Sequence, residues 1–209
     1  ALMFDKLGID TMKVLEAAKT KYNFQVHYPG SGVGGPCLPI NSYQLLNTAK
    51  RAGVKLNMIE SGRMINEKMP DHVIQLISDA FMEINKPLKN STLLILGISY
   101  KPNVKDIQLS PAKHIIEKLH NLGMIVHIYD PFYSGTEVFD IKVESELDSI
   151  LPKMDGAVIV TGHDDFKKIP ISSFAKMKSK ILVDTRGIVD PISAKKENII
   201  FRGLGRGNF

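Results

Sequence analysis

Four short apolar runs in the second half of the chain constrain its fold more than any other feature. Residues 92–97, 124–129, 157–160 and 181–184 form these runs, and residues 198–201 can add a fifth. Continuous apolar runs of this length are typical of parallel strands that are buried on both faces. Helical patterns separate them at residues 110–123, 145–151 and 171–177. This alternation predicts an α/β fold with a doubly wound, mainly parallel sheet over residues 87–209.

The first part of the chain has a helical pattern instead. We expect a helix that ends near Gly8, a second capped by Asp10 or Thr11, and a third from Pro39 to about Arg51. A long helical pattern covers residues 56–84, and Met69-Pro70-Asp71 predicts a kink or a new helix start within it. The composition changes at residues 86–90. The sequence therefore predicts a helical region over residues 1–86, followed by the sheet domain.

A glycine-rich loop at residues 30–36 leads directly to Cys37, the only cysteine of the chain. Glycine is favoured where the backbone needs a positive φ or where a ligand approaches it closely. Pro39 is placed for the first turn of the next helix, so Cys37 lies at a helix N-terminus. The free amides and the helix dipole there stabilise a thiolate and can hold an oxyanion beside it. Cys37 is thus a candidate nucleophile, and a buried structural thiol is the alternative.

Polar residues follow the predicted strands at the edge where open α/β sheets bind ligands. Tyr100 and Lys101 come after the first strand, His163 after the third, and Arg186 after the fourth. Lys101 and Arg186 are candidates to bind a phosphate or a ribose, and the Tyr100 ring can stack on a base. The turn at Gly97 lacks the G-x-G-x-x-G fingerprint, so this sheet is a poor candidate for an ordinary NAD site.

Composition excludes several classes of function. The 209 residues carry a formal charge of +5 that is spread along the chain, which suggests attraction of small anions rather than nucleic acid. No apolar run reaches the ~20 residues that span a bilayer, so we expect no membrane partner. A single cysteine excludes an internal disulfide and fits a reducing cytoplasm. The histidines lack partners at ligand spacing, so no metal site is predicted.

Three motifs in this order resemble the UDP-sugar 6-dehydrogenase family. They are Gly32-Val33-Gly34-Gly35-Pro36-Cys37-Leu38-Pro39, then residues 96–106, and then Val183-Asp184-Thr185-Arg186-Gly187. In that family an N-terminal Rossmann domain binds NAD, a central helical region forms the dimer, and a C-terminal α/β domain binds UDP. The resemblance therefore implies that residues 1–86 are the dimerisation region and residues 87–209 the UDP-binding domain. It also implies a homodimer or higher homo-oligomer, and an NAD domain that is absent from this chain.

The resemblance further implies roles for individual residues. Cys37 would trap the C6 aldehyde of the sugar as a thiohemiacetal and then carry a thioester, which water hydrolyses to the uronate. The implied substrate-binding residues are Tyr28, Gly32, Val33, Gly34, Tyr100, Lys101 and Arg186. Asn41 occupies the position of the aspartate that usually assists this chemistry, and an amide can orient a water but cannot accept its proton. Gln108 occupies the position of an arginine that is often near the cofactor.

The choice of sugar is less constrained by the resemblance. UDP-glucose enzymes typically carry an aromatic residue in the glycine loop and a lysine three residues after the cysteine, whereas this chain has Val33 and Ile40. These differences favour a UDP-N-acetylhexosamine such as the N-acetylmannosamine or N-acetylglucosamine form. A UDP-glucose 6-dehydrogenase fragment is one alternative. The other is a non-catalytic module that binds nucleotide sugars or forms the dimer.

Overall fold

A seven-stranded sheet forms the centre of the computed structural model, which describes residues 1–207. Its strands are β1 (Thr92–Leu96), β2 (Ile125–Tyr129), β3 (Glu137–Val138), β4 (Ile141–Glu144), β5 (Gly156–Ile159), β6 (Ile181–Asp184) and β7 (Ile200–Gly203). Their spatial order is β3-β4-β2-β1-β5-β6-β7. The edge strand β3 pairs antiparallel with β4, and every other neighbouring pair within residues 1–207 is parallel. The predicted mainly parallel α/β fold is confirmed.

Helices precede the sheet and alternate with its strands. They are α1 (Leu2–Leu7), α2 (Thr11–Ala18), α3 (Leu38–Arg51), α4 (Asn57–Glu83), α5 (Pro111–Asn121), α6 (Leu147–Ile150), α7 (Asp164–Lys167), α8 (Ile171–Phe174) and α9 (Pro191–Lys196). A 3-10 turn, Leu151–Lys153, follows α6. Helix α5 shows why these segments begin where they do: the Ser110 hydroxyl accepts the amide N–H of Ala112, and Pro111 occupies the first helical position.

Both faces of the sheet are buried, which explains the continuous apolar runs. Leu93 and Ile95 of β1 point into one hydrophobic cluster, and Leu94 and Leu96 point into the other. Helices α4 and α5 cover the first face, and residues of α6, α8 and α9 cover the second. The sheet is therefore doubly wound, as the sequence predicts.

The strand order reverses at β1, which pairs with β2 on one side and β5 on the other. Gly97 follows β1 at this switch point with φ +83°, and its N–H donates to the carbonyl of Tyr129 at 2.9 Å. A Cβ at Gly97 would lie 2.5 Å from the Cβ of Thr161. The loops after β1, β2 and β5 therefore meet closely, and only glycine fits between them.

Of the two alternatives at Met69-Pro70-Asp71, a kink or a new helix start, the new start is excluded, because α4 runs for 27 residues with Pro70 inside it. Proline has no N–H, so the carbonyl of Asn66 loses its usual helical partner. Tertiary packing offsets this loss, since Val73 and Ile77 in the next two turns are fully buried in the core beneath the sheet. Within residues 1–207 no helix is both long and apolar enough to cross a membrane.

Candidate functional site

One cleft of about 660 Å³ lies between the glycine loop, the middle of α4 and the carboxyl edge of the sheet. It gathers all seven residues that the sequence suggests for substrate binding: Tyr28, Gly32, Val33, Gly34, Tyr100, Lys101 and Arg186. The Tyr28 hydroxyl donates to Glu16 of α2 at 3.1 Å, which helps to hold the ring at the cleft. Residues that are up to 158 positions apart in the chain thus share one concave surface, which is the usual form of a small-molecule site.

The glycine loop packs directly on the segment that follows β1. The N–H of Gly35 donates to the carbonyl of Gln108 at 2.9 Å. Gly35 has φ +88°, and a Cβ there would lie 2.7 Å from the Tyr100 ring. A Cβ at Gly34 would collide with the backbone of Leu109. The glycines therefore allow the loop backbone to lie against the Tyr100 ring at the floor of the cleft.

Arg186 supplies positive charge from the turn after β6. The buried carboxylate of Asp184 organises this turn, because it accepts the N–H groups of Arg186, Gly187 and Val189 at 2.8, 3.0 and 2.8 Å. Burial raises the pKa of Asp184. Burial also lowers the pKa of Arg186, although Asp184 opposes the shift, and a guanidinium stays protonated in proteins. A side chain at Gly30 would collide with this guanidinium, so the loop passes close to the cation.

Tyr100 and Lys101 lie on a loop that a buried, hydrogen-bonded pair of side chains supports. Asp130 follows β2, and its Oδ2 accepts the N–H of Ile98 at 2.9 Å and lies 3.2 Å from Nε2 of His163. Nδ1 of His163 accepts the N–H of Asn103 at 2.9 Å, so the proton of the neutral ring is on Nε2 and is directed to Asp130. The loop is thus held at both of its ends.

Asp130 and His163 are both fully buried, and neither lines the cleft. Burial raises the pKa of Asp130, but the hydrogen bonds from His163, Ile98 and Phe132 outweigh it and hold the pKa below its ordinary value. His163 therefore supports the substrate loop and does not face a ligand. The sequence places His163 at the sheet rim but gives no sign of its carboxylate partner, which is 33 positions away.

Cys37 is the N-cap residue of α3, and its side chain is exposed. The structure thus excludes the alternative of a buried structural thiol. Cys37 itself is not part of the cleft lining, but the next residue in the chain, Leu38, is. The N–H of Asn41 donates to the Cys37 carbonyl at 2.8 Å. The side chain of Asn41 is exposed and lies one helical turn after Cys37. The two residues share one face of α3.

Asn66 is a cleft residue that the sequence reasoning missed. Its Oδ1 accepts the N–H of Val33 at 2.9 Å, which ties the glycine loop to α4. Gly62, Ile65 and Met69 line the cleft beside it. Their spacing along the helix, three or four residues apart, places them on one face of α4. This spacing was the sequence feature that could have identified the residues as one side of a helix, but nothing local in the sequence shows that this side contacts the glycine loop.

The turn after β1 does not fit a dinucleotide coenzyme. Such a coenzyme needs free amides at the turn after the first strand, whereas here the N–H of Ile98 is taken by Asp130 and the side chain of Ile98 is fully buried. Gln108 is exposed and lies outside the cleft, and its N–H donates to Asp106 at 2.9 Å. Residues 1–207 also contain no cluster of three or more potential metal-ligating side chains.

The strand order and the position of the cleft define a doubly wound α/β protein with a ligand site at its topological switch point. Two family models match the chain. The central domain of the UDP-glucose/GDP-mannose dehydrogenase family matches residues 1–68, and the UDP binding domain of the same family matches residues 94–191. The chain belongs to this family.

Curated relatives in this family act on N-acetylated sugars according to their names. The UDP-N-acetyl-D-mannosamine dehydrogenase of Pyrococcus horikoshii is 34% identical over 209 residues, which are 100% of this chain and 47% of that protein. The UDP-N-acetyl-D-glucosamine 6-dehydrogenase of Salmonella typhi is 31% identical over 195 residues, 90% of this chain and 45% of that protein. The chain therefore spans about half the length of these relatives.

A solved structure of the Pyrococcus horikoshii UDP-D-ManNAc dehydrogenase has a similar fold. It superimposes with a TM-score of 0.86 at 33% identity, over 99% of this chain and 46% of that structure. The similarity covers both the helical region and the sheet domain.

Proposed function

We propose that this chain is the substrate-binding and catalytic-cysteine part of an NAD-dependent UDP-N-acetylhexosamine 6-dehydrogenase, with N-acetylmannosamine or N-acetylglucosamine as the sugar. The observation that carries this proposal is the cleft that unites the glycine loop, Tyr100, Lys101 and Arg186 and includes Leu38, the residue that follows Cys37. The names of the two relatives described above support the choice of an N-acetylated sugar.

The charges in the cleft match a nucleoside diphosphate. Lys101 and Arg186 are the two cations that line it, and a diphosphate carries the opposite charge. Tyr100 offers an aromatic surface for the uridine, and Lys101 Nζ lies 5.7 Å from the centre of that ring. The backbone of Gly32, Val33 and Gly34 lines the cleft and can then approach the sugar closely, since no bulky side chain intervenes at the two glycines.

In this proposal, Cys37 performs the covalent chemistry. Oxidation of the C6 alcohol gives an aldehyde, to which the Cys37 thiolate adds to form a thiohemiacetal. Loss of a second hydride leaves a thioester, and attack by water releases the uronate and the free thiolate. NAD, when bound, would supply the hydride acceptor, and the two oxidations would consume two NAD molecules. Since the turn after β1 does not fit a dinucleotide, we assign the NAD site to a domain outside this chain, with Gln108 as the candidate contact from this one. Free amides at the start of α3 stabilise the oxyanion beside the sulfur.

Asn41 can do less for the hydrolysis of the thioester than a carboxylate at the same position could. Its amide can hold the hydrolytic water close to the thioester but cannot take the proton of that water. In this proposal the thioester step is slow, or another group supplies the base. The same residue is the observation in favour of the second candidate function, a nucleotide-sugar-binding module without catalysis.

The surface between α3 and α4 exposes apolar side chains among charged ones, which supports self-association. A groove of about 940 Å³ lies there, and it shares no lining residue with the cleft. Tyr43, Val54 and Met64 of its lining are 44%, 53% and 53% exposed. We assign this surface to a homodimer, since a second copy would cover it. We assign the enzyme to the cytoplasm, where its exposed thiol would stay reduced.

A paired experiment on the complete protein that contains this chain tests the proposal. Calorimetric titration with UDP should show binding, and Lys101→Ala should weaken it about tenfold or more because a charge-assisted hydrogen bond is lost. Lys142→Ala, which removes an exposed lysine on β4, is the matched control and should leave UDP affinity unchanged. Absence of UDP binding would refute the proposed site.

A second measurement separates catalysis from simple binding. Cys37→Ser should abolish uronate formation from the UDP-N-acetylhexosamine while UDP affinity stays the same. The purified protein should also react with iodoacetamide at Cys37, and bound UDP-sugar should slow that reaction. Uronate formation by Cys37→Ser at the wild-type rate would overturn the catalytic role, and an unreactive Cys37 would favour the non-catalytic module.

A further inference from the structure

The wall that α4 presents to the cleft combines one polar side chain with apolar neighbours. Asn66 lies next to Ile65 on this wall, and Val33 of the glycine loop is joined to it by a hydrogen bond. The side chains of Val33 and Ile65 are 48% and 55% exposed. Exposed apolar side chains inside a cleft gain most from a ligand group that removes them from water. Because the side-chain amide of Asn66 lies beside them, a ligand group that also has a hydrogen-bonding atom fits this wall best.

The orientation of the Asn66 carboxamide follows from its partner. The amide of Val33 can only donate, so the atom that lies 2.9 Å away must be Oδ1. The two hydrogens of Nδ2 then remain on the other side of the carboxamide. No protein atom within residues 1–207 accepts a hydrogen bond from Nδ2. Asn66 therefore brings a donor pair, fixed in orientation by the loop, to the cleft that it lines.

We infer that Asn66, Ile65 and Val33 form a subsite for the acetamido group of the sugar, an assignment that rests on the proposed function. Nδ2 of Asn66 donates to the acetyl carbonyl oxygen, and the side chains of Ile65 and Val33 contact the acetyl methyl group. A hexose carries a hydroxyl at the same carbon, which has no methyl to cover the two apolar side chains. The subsite thus makes the cleft selective for N-acetylhexosamines over hexoses.

Asn66→Asp isolates the donor, because aspartate keeps an oxygen for the Val33 amide and loses the Nδ2 hydrogens. The complete protein is titrated by calorimetry with UDP, UDP-N-acetylmannosamine, UDP-N-acetylglucosamine and UDP-glucose. The wild type should bind the better of the two N-acetylated ligands at least tenfold more tightly than UDP-glucose. Asn66→Asp should reduce that ratio about tenfold, the usual effect of one lost hydrogen bond. Repulsion of the diphosphate by the new charge affects both ligands and cancels in the ratio.

Val33→Thr tests the apolar contact separately, since it replaces one methyl group by a hydroxyl with little change in side-chain shape. The same ratio should fall about fourfold, as expected for one methyl group. Asn121→Asp, an exposed position at the end of α5, adds an equal charge outside the cleft and should leave the ratio unchanged.

The outcomes distinguish the subsite from the proposed function. Tight UDP binding with no preference for the N-acetylated ligands would overturn the subsite alone. An equal loss for every UDP-sugar in Asn66→Asp would also overturn it, because Asn66 would then only position the loop. Absence of UDP binding by the wild type would overturn the proposed function and the subsite with it.

Discussion

Replacing Asp184 by asparagine should loosen the turn that carries Arg186 and weaken nucleotide binding. Asparagine has one acceptor oxygen, which can keep the N–H groups of Arg186 and Gly187 that now bind Oδ1. Its NH2 group would then face the N–H of Val189, which now donates to Oδ2 at 2.8 Å. Two donors would thus be left opposed at a fully buried position.

A buried donor without an acceptor costs about 1–3 kcal/mol. Burial raises the pKa of Asp184, which means that its charge is unfavourable there, so loss of the charge offsets part of this cost. We expect the free energy of unfolding to fall by about 1–2 kcal/mol, the remainder of that range. For a protein of this size, each 1 kcal/mol lowers the Tm by about 2–4 °C. Since Arg186 shifts with the turn, UDP affinity should fall about tenfold.

Urea unfolding and calorimetric titration with UDP measure these two effects on one preparation. Asp148→Asn makes the same chemical change at an exposed position of α6 and should alter the free energy of unfolding by less than about 0.5 kcal/mol. If Asp184→Asn unfolds at the wild-type urea concentration and binds UDP equally well, the carboxylate does not organise the turn and the reasoning is refuted.

Three further changes test the core, the thiol and the loop support. Ile77→Ala should lower the free energy of unfolding in urea by about 2–5 kcal/mol, because Ile77 is fully buried between α4 and the sheet. Cys37→Ser should change it by less than about 0.5 kcal/mol, because the side chain is exposed. Asp130 has a lowered pKa, so its stabilisation is complete above about pH 4 and is lost as the pH falls through the lowered value. Asp130→Asn should flatten that part of the curve of unfolding free energy against pH.

Each of these expectations has a contrary result. An Ile77→Ala protein as stable as the wild type would show that the second half of α4 does not pack as described. A large loss of stability in Cys37→Ser would show that the thiol is part of the core. If the unfolding free energy of Asp130→Asn falls at acid pH as steeply as that of the wild type, other carboxylates cause the acid sensitivity.

The sequence predicts the central strands well because both faces of these strands are buried, so that consecutive residues are apolar. Leu93 and Leu94 face opposite clusters, so both must be apolar, and the run is visible without any tertiary information. The β3–β4 hairpin was missed for the opposite reason. Its turn places Phe139 and Asp140 at φ +54° and +61°, where asparagine and glycine give the usual signal.

The site could be predicted only where a local motif marks it. The glycine loop and the residues after the strands have such motifs, and the structure brings them into one cleft. No local motif identifies Asn66, because its contact with Val33 joins two segments that are 33 residues apart in the chain. The pairing of His163 with Asp130 was hidden in the same way, since it depends on how the loops after β2 and β5 converge.

Helix α4 connects the cleft wall rigidly to the hydrophobic core. Asn66 faces the glycine loop. Val73 lies seven residues later in the same uninterrupted helix and is fully buried against the sheet. One residue inserted between them would rotate Asn66 by about 100° and shift it by about 1.5 Å relative to the core. The spacing from Asn66 to Val73 is therefore fixed in length, and insertions or deletions in related chains should fall outside it.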